Sequence, residues 1–343
     1  MRKGQNPAKM GLLAYHPKRV GIALLSWIPD QDAYSSQSLE ILKYQVASVR
    51  NSINDCDLVI FDNGSCLEVQ AELQKIHAQG LVDVLILSRV NFGKTGALNW
   101  LLASLPNELI VYADGDVLFR PGWFEAAEKI LKSFPKTGLV TSQPCFFDIL
   151  RGKGQAWQSL EDKPNIEIIE KHLEESTIEE YARGIGLDVE QFARLRTQLV
   201  KVAEEQISGI QAVVGASHMQ FVMRRDVARK LIPLPCEYAL NKDEDAFLNQ
   251  RIDQLGLWQL STLEPFIYHM GNCLDENDLS EIQSLGLAEI LNQPPVRIPS
   301  VLTSDPGKQH AFKLISGLSH WAAFRNMTRR LYNLLFEYFA QEK

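Results

Sequence analysis

The feature that most constrains this chain is an alternation of short apolar runs with segments of helical period. Val20–Ser26 (VGIALLS) has the length and composition of a strand, and Gln37–Ile53 follows with Leu39, Leu42, Val46, Val49 and Ile53 at helical spacing. Asp57–Phe61 (DLVIF), Val82–Leu87 (VDVLIL) and Glu108–Ala113 read as three further strands, separated by helical segments at Cys66–Gln79 and Gly96–Leu105. Strands alternating with helices of this length imply βαβ units, hence an α/β fold with a mostly parallel sheet flanked by helices. With 343 residues, 45% of them hydrophobic, the chain can bury such a core.

Ligands of such sheets bind beyond the carboxyl ends of the strands. The residues there are polar and converge on one edge: Asp62-Asn63-Gly64-Ser65 after the second run, Asn91-Phe92-Gly93-Lys94 after the third, Asp114 and Asp116 at the end of the fourth. From about Arg151 to Gln206 the pattern changes to a segment rich in Glu, Lys, Arg and Gln. Ile166–Glu175 and Val189–Glu205 read as solvated helices, so a helical insertion is expected here. Gln211–Val214 and Met219–Met223 return to strand character, Lys242–Leu255 is helical, and Gln259–Tyr268 is a late strand. Between His310 and Phe339, Leu314, Leu318, Trp321, Leu331, Leu335 and Tyr338 recur at helical spacing beside Arg325, Arg329 and Arg330. That tail reads as packed amphipathic helices, with a membrane-surface or partner contact as the alternative.

A formal net charge of -7 argues against a nucleic-acid partner, which needs a basic face. The five cysteines, Cys56, Cys66, Cys145, Cys236 and Cys273, are odd in number and form no CxxC pair. They fit neither a zinc site nor a disulfide framework and suit a reducing cytosol. The N-terminal stretch lacks a long apolar segment, so no signal peptide is expected. No apolar run reaches the roughly 20 residues that span a bilayer. The expected location is the cytoplasm, at most peripheral at a membrane.

Within Val111–Phe119 (VYADGDVLF), Asp114 and Asp116 flank a glycine inside an apolar run. Carboxylates in such a setting are costly unless something positive meets them. At i and i+2 on an extended chain they face the same way, and hard oxygen ligands past a strand end suit Mg²⁺ or Mn²⁺. A plain Asp-Gly turn is the simpler alternative. His269 closes another apolar run, PFIYHMGN, where it is either a satisfied structural histidine or a ligand on the same edge. Asp243-Glu244-Asp245 opens a helix; acidic residues there suit the helix dipole, or supply a general base for a hydroxyl nucleophile. Gly93-Lys94-Thr95 is like the end of a Walker A loop, but Ser88 stands where that loop needs a glycine. Lys94 remains a candidate phosphate or base-edge contact, and Asp62-Asn63-Gly64 reads either as a plain turn or as placing Asp62 to accept hydrogen bonds from a uracil N–H or a ribose hydroxyl.

Seven stretches, VGIALLS, LVIFDNGS, NFGKTGALN, VYADGDVLFRPGW, VVGASHMQFVMRR, KDEDAFLNQRI and PFIYHMGN, together resemble a GT-A glycosyltransferase of the family 2 type. They span about residues 20 to 272. The resemblance implies a catalytic domain over 15–275, comprising a nucleotide-binding half (15–150), the helical insertion (151–210) and a half carrying the acceptor site and catalytic base (211–275). A C-terminal helical extension would occupy 276–343. It implies transfer of a hexosyl or N-acetylhexosaminyl group from a nucleotide-sugar, UDP-linked by default, to a glycan, lipid-linked or small-molecule hydroxyl, with inversion. Residue by residue, Asp62 resembles the base-binding aspartate, and Asn91 and Lys94 lie in the loop framing the nucleotide. Asp114 and Asp116 resemble the DXD pair, with Asp116 the direct ligand of Mn²⁺ or Mg²⁺ and His269 completing its coordination. Asp245 matches the catalytic base and Glu244 an acceptor-orienting residue. Gly215, Ala216 and Ser217 fall where members shape the donor-sugar pocket. The first strand departs from the pattern: it ends Ser26-Trp27-Ile28-Pro29, so Trp27 becomes the candidate for stacking on the base. Two other classes compete. A sugar-phosphate nucleotidyltransferase would carry a glycine-rich, basic signature after the first strand, and none follows Ser26. A non-catalytic glycan- or partner-binding protein would have lost the carboxylates, and Asp114, Asp116 and Asp245 are present.

Overall fold

The computed structural model describes residues 16–146, 158–236 and 244–294, with three helical positions at 326, 327 and 330. His16–Arg297 forms one compact unit; Met1–Tyr15 and Ile298–Lys343 form a second. The amphipathic pattern expected between His310 and Phe339 lies outside the described residues, apart from the helical positions Asn326, Met327 and Arg330.

The first unit is built on a ten-stranded sheet of order β3-β2-β1-β4-β10-β6-β11-β9-β8-β7. Its parallel part comprises β1 (Val20–Ser26), β2 (Cys56–Asp62), β3 (Val84–Leu87) and β4 (Leu109–Asp114). Every residue of β1 and β2 is buried, as continuous apolar runs covered on both faces should be. The crossovers are α1 (Ser38–Ser52), α2 (Leu67–Ala78) and α3 (Gly93–Ser104). Beyond β4 the sheet is mixed: β6 (Thr137–Thr141), β9 (Ile210–Val214), β10 (Gln220–Arg224) and β11 (Trp258–Ser261). β4 and β10 are antiparallel, as are β10 and β6, whereas β6 and β11 are parallel. Followed across all ladders, β1, β2, β3, β4, β6, β8 and β11 point one way and β7, β9 and β10 the other.

The four strands read first from the sequence are therefore present, and the α/β class holds. Three features differ. The insertion is not wholly helical. Its helices α5 (Glu175–Gly184) and α6 (Val189–Thr197) are framed by β7 (Ile166–Lys171) and β8 (Val200–Glu205), which extend the sheet. Ile166 and Ile168, and likewise Val200 and Val202, alternate at period two, and Val200, Val202 and Val213 pack in one cluster with Ile178 and Tyr181 of α5. The late strand is split into β11 and β12 (Ile267–His269), because Pro265 interrupts it. β12 leaves the main sheet and pairs with the short β5 (Val117–Phe119). Finally, α9 (Glu276–Ser284) and α10 (Leu287–Leu291) bury Ile282 and Leu287 against Ile41 and Ala47 of α1. The start of the expected C-terminal extension thus belongs to the same unit. Further helices are α4 (Trp123–Ser133), α7 (Arg225–Leu231) and α8 (Glu244–Gln254).

Candidate active site

Asp114 ends β4, and Gly115 and Asp116 form the turn into β5. Between the two aspartates the backbone passes the carbonyl of Leu25 so closely that a Cβ on Gly115 would sit 3.1 Å from its oxygen. The ladder between β5 and β12 sets His269 opposite Val117, and the Met270 amide donates to the Asp116 carbonyl at 2.8 Å. His269 Nε2 consequently lies 3.0 Å from Asp116 Oδ2, and its Nδ1 lies 2.8 Å from the Gly184 carbonyl.

The two aspartates are met differently. Asp114 Oδ2 pairs with Lys94 Nζ at 2.9 Å, and Oδ1 accepts from the Tyr112 hydroxyl at 2.5 Å. Burial pushes its carboxyl above the ordinary carboxylate value, against the charge of Lys94. Asp116 Oδ1 is buried with no hydrogen-bond partner. A buried carboxylate oxygen left unpaired is costly, and paired with an imidazole it makes a donor set that suits Mn²⁺. The residues present therefore fit a divalent cation. Among the described residues, no cluster of three or more His, Cys, Asp or Glu side chains gathers as a closed metal cage. An open set of two suits a metal that keeps positions for water and phosphate oxygens. His269 is raised to about 9: burial alone would lower it, and the hydrogen bond and charge of Asp116 outweigh that.

Trp27, Tyr34, Asp114, Asp116, His269 and Asn272 line one cleft at the carboxyl end of β1. Trp27 is 46% exposed there. Asp62 does not reach the cleft surface. It is fully buried, accepting from the Ser26 hydroxyl at 3.3 Å, the Ser65 amide at 3.2 Å and Gln70 Nε2 at 2.9 Å. It braces the turn that follows β2. Asn91 is exposed, and its Oδ1 accepts from Asn63 Nδ2 at 2.9 Å and from the Gly93 amide at 2.7 Å, which folds the loop that presents Lys94.

A sequence profile of Glycosyl transferase family 2 matches residues 34–231, more than half of the chain. The chain belongs to glycosyl transferase family 2. No curated relative matches the sequence. Among solved structures, the mannosyltransferase PcManGT from Pyrobaculum calidifontis, in complex with GDP-Man and Mn2+, is similar at 12% identity with a TM-score of 0.43, over 92% of this chain and 84% of that one. TarS 1-349 from S. aureus is similar at 12% identity and a TM-score of 0.42, over 80% of this chain. GalNAc-T7 with UDP, GalNAc and Mn2+ is similar at 14% identity and 0.43, over 74% of this chain and 43% of that one. The chain spans 66% of the TarS fragment.

The remaining candidates of this family 2 chain lie across the β4–β10 junction. Gly215 and Ser217 do not line the cleft. The Gly215 amide donates to the Gln259 carbonyl at 2.8 Å, and the buried Ser217 exchanges hydrogen bonds with the Thr141 hydroxyl at 2.8 and 2.9 Å. His218, next in the chain, lies 2.9 Å from Asn249 Oδ1, one turn into α8 from Asp245. Glu244 and Asp245 open that helix, and their side chains lie outside the described residues. Three contributors to the site carried no signal in the sequence. Tyr112 is legible only as a strand residue, Gly184 acts through a backbone oxygen, and Gln45 Nε2 donates to the Asp114 carbonyl at 2.5 Å from a mostly apolar helix face.

Proposed function

We propose that this family 2 chain transfers a sugar from a nucleotide-sugar, a UDP-sugar by default, to a hydroxyl acceptor by single displacement with inversion. The observation that carries the reading is Asp116, whose buried Oδ1 is unpartnered while Oδ2 faces His269 on the wall of a cleft that also exposes Trp27. Asp116 and His269 would hold a Mn²⁺ or Mg²⁺, which when bound offsets charge on the departing diphosphate. Trp27 offers an apolar face for the base. Asp114 keeps Lys94 aimed at the site, where a cation favours a phosphate. Asp245, at the start of α8, takes the proton from the acceptor hydroxyl as it attacks, and Glu244 orients that acceptor. Hexosyl and N-acetylhexosaminyl donors both suit this scheme. Glycan, lipid-linked and small-molecule acceptors do as well. Among the described residues no helix is long and apolar enough to cross a membrane.

Thermal unfolding with UDP, GDP, CMP or dTDP, each with and without Mn²⁺, tests this. A ligand at a hundred times its dissociation constant adds about 2.7 kcal/mol, roughly 4 °C in a chain of this size. One nucleotide should stabilise, only with metal and not in Asp116→Ala. No shift with any nucleotide would overturn the reading.

A further inference from the structure

We infer that Gly184, the last residue of α5 in the insertion, is a positioning residue for His269, its carbonyl orienting the imidazole so that Nε2 faces Asp116 and a metal. The inference rests on the proposed reading of Asp116 and His269 as a metal pair. A carbonyl only accepts, so the ring nitrogen 2.8 Å from Gly184 O carries the hydrogen. With Nδ1 protonated, the neutral imidazole keeps its lone pair on Nε2, the atom 3.0 Å from Asp116.

Two further observations make this contact more than a chance approach. A Cβ on Gly184 would lie 2.7 Å from the backbone oxygen of His269, an atom that cannot swing aside. Position 184 therefore admits no side chain while α5 rests on β12. The helix is also anchored on both sides of that strand. Glu180 of α5 takes both Nη atoms of Arg120, at 2.9 and 2.8 Å, and Arg120 Nη1 donates to the Pro265 carbonyl just before β12. Arg183 Nε lies 3.4 Å from Asp275, which caps α9 just after it. The insertion thus walls the candidate metal site, in addition to any part it plays toward the acceptor, and moving α5 moves the imidazole.

The test is Mn²⁺ affinity of the full chain, read from the electron-paramagnetic signal of free Mn²⁺ with no nucleotide present. Loss of a group that orients a ligating histidine costs about 10–100-fold in metal affinity. Gly184→Ala should weaken Mn²⁺ binding by at least about 10-fold, and should cost nothing further in a His269→Gln background. Glu180→Gln frees the anchor without touching residue 184. It should weaken Mn²⁺ in the same His269-dependent way and carries the test if Gly184→Ala fails to fold. Unchanged affinity in a folded Gly184→Ala, or an equal loss with and without His269, overturns the inference. If wild-type binding is lost in Asp116→Asn but untouched by both insertion variants, this inference falls and the metal reading stands. No Mn²⁺ binding by the wild type overturns both.

Discussion

His269 in the metal-free protein holds a proton that a metal would have to displace. Its value, raised from 6.5 to about 9 by Asp116 in spite of burial, has a definite consequence for stability. A folded-state value above the unfolded one adds stability that is complete below pH 6.5 and is lost as pH rises through 9. Denaturant titrations of the metal-free protein from pH 6 to pH 10 should lose on the order of 3 kcal/mol across that window, and His269→Gln should remove the slope. The same proton competes with the cation, so Mn²⁺ affinity should rise with pH toward 9. A pH-independent affinity would remove His269 from the ligand set. Residue type alone does not separate the aspartates of the DGD stretch; the family resemblance gives the metal to Asp116, and the fold gives the two different surroundings. Lys94 and Tyr112 meet Asp114, whereas Asp116 faces His269 and keeps one oxygen unpaired. That difference needed the pairing of β5 with β12, two three-residue strands too short to register as patterns.

Arg120 shows how much of the element scale rests on one side chain. It follows β5, stacks over Tyr268 of β12 at 4.9 Å, pairs with Glu180 of α5 and holds Glu281 of α9 at 2.9 Å. Replacing it with Met keeps the apolar stem but leaves two half-buried carboxylates uncompensated. Breaking a buried ion pair from one side costs about 3–5 kcal/mol. Arg120→Met should lower the melting temperature by roughly 4–7 °C in a chain of this length. A change under about 1 °C would mean that the network is solvated and contributes little. The elements legible in the sequence are those whose period is carried by apolar residues alone. β1, β2 and β4 are continuous apolar runs, and α1 shows a clean helical stripe. The insertion misleads because β7 and β8 face water on one side, so Glu167, Glu170 and Lys201 dilute the alternation of Ile168, Val200 and Val202. Charged residues at that density suit an edge hairpin as well as a solvated helix, and only the pairing with β9 decides between them. Asp62 illustrates the converse for the site: its type and position suggested a ligand contact, and burial beneath Ser26 made it a brace.

Across the whole molecule, the sheet joins two parts that divide the proposed chemistry between them. The parallel part, β3-β2-β1-β4, ends in Trp27, the Lys94 loop and the two aspartates, the groups assigned to the donor. The mixed part, from β10 onward, brings the 215–219 segment and the start of α8, where the assigned base Asp245 stands. They meet where the Asp114 amide donates to the Met219 carbonyl at 2.8 Å. This division predicts that donor binding and proton removal separate by mutation. Asp245→Asn changes a carboxylate to an amide of the same shape on the mixed side alone. It should leave metal-dependent nucleotide affinity at the wild-type value and lower the transfer rate by about 10²–10⁴, the usual range for a lost general base. Asp116→Ala, on the parallel side, should instead weaken nucleotide binding and rate together. Binding isotherms with the metal and donor, set beside single-turnover rates, would read both quantities on each variant. Equal losses of affinity and rate in Asp245→Asn would place that residue with the donor. A product of retained anomeric configuration would remove its role as base, because a base that activates the acceptor for direct attack works from the face opposite the leaving group.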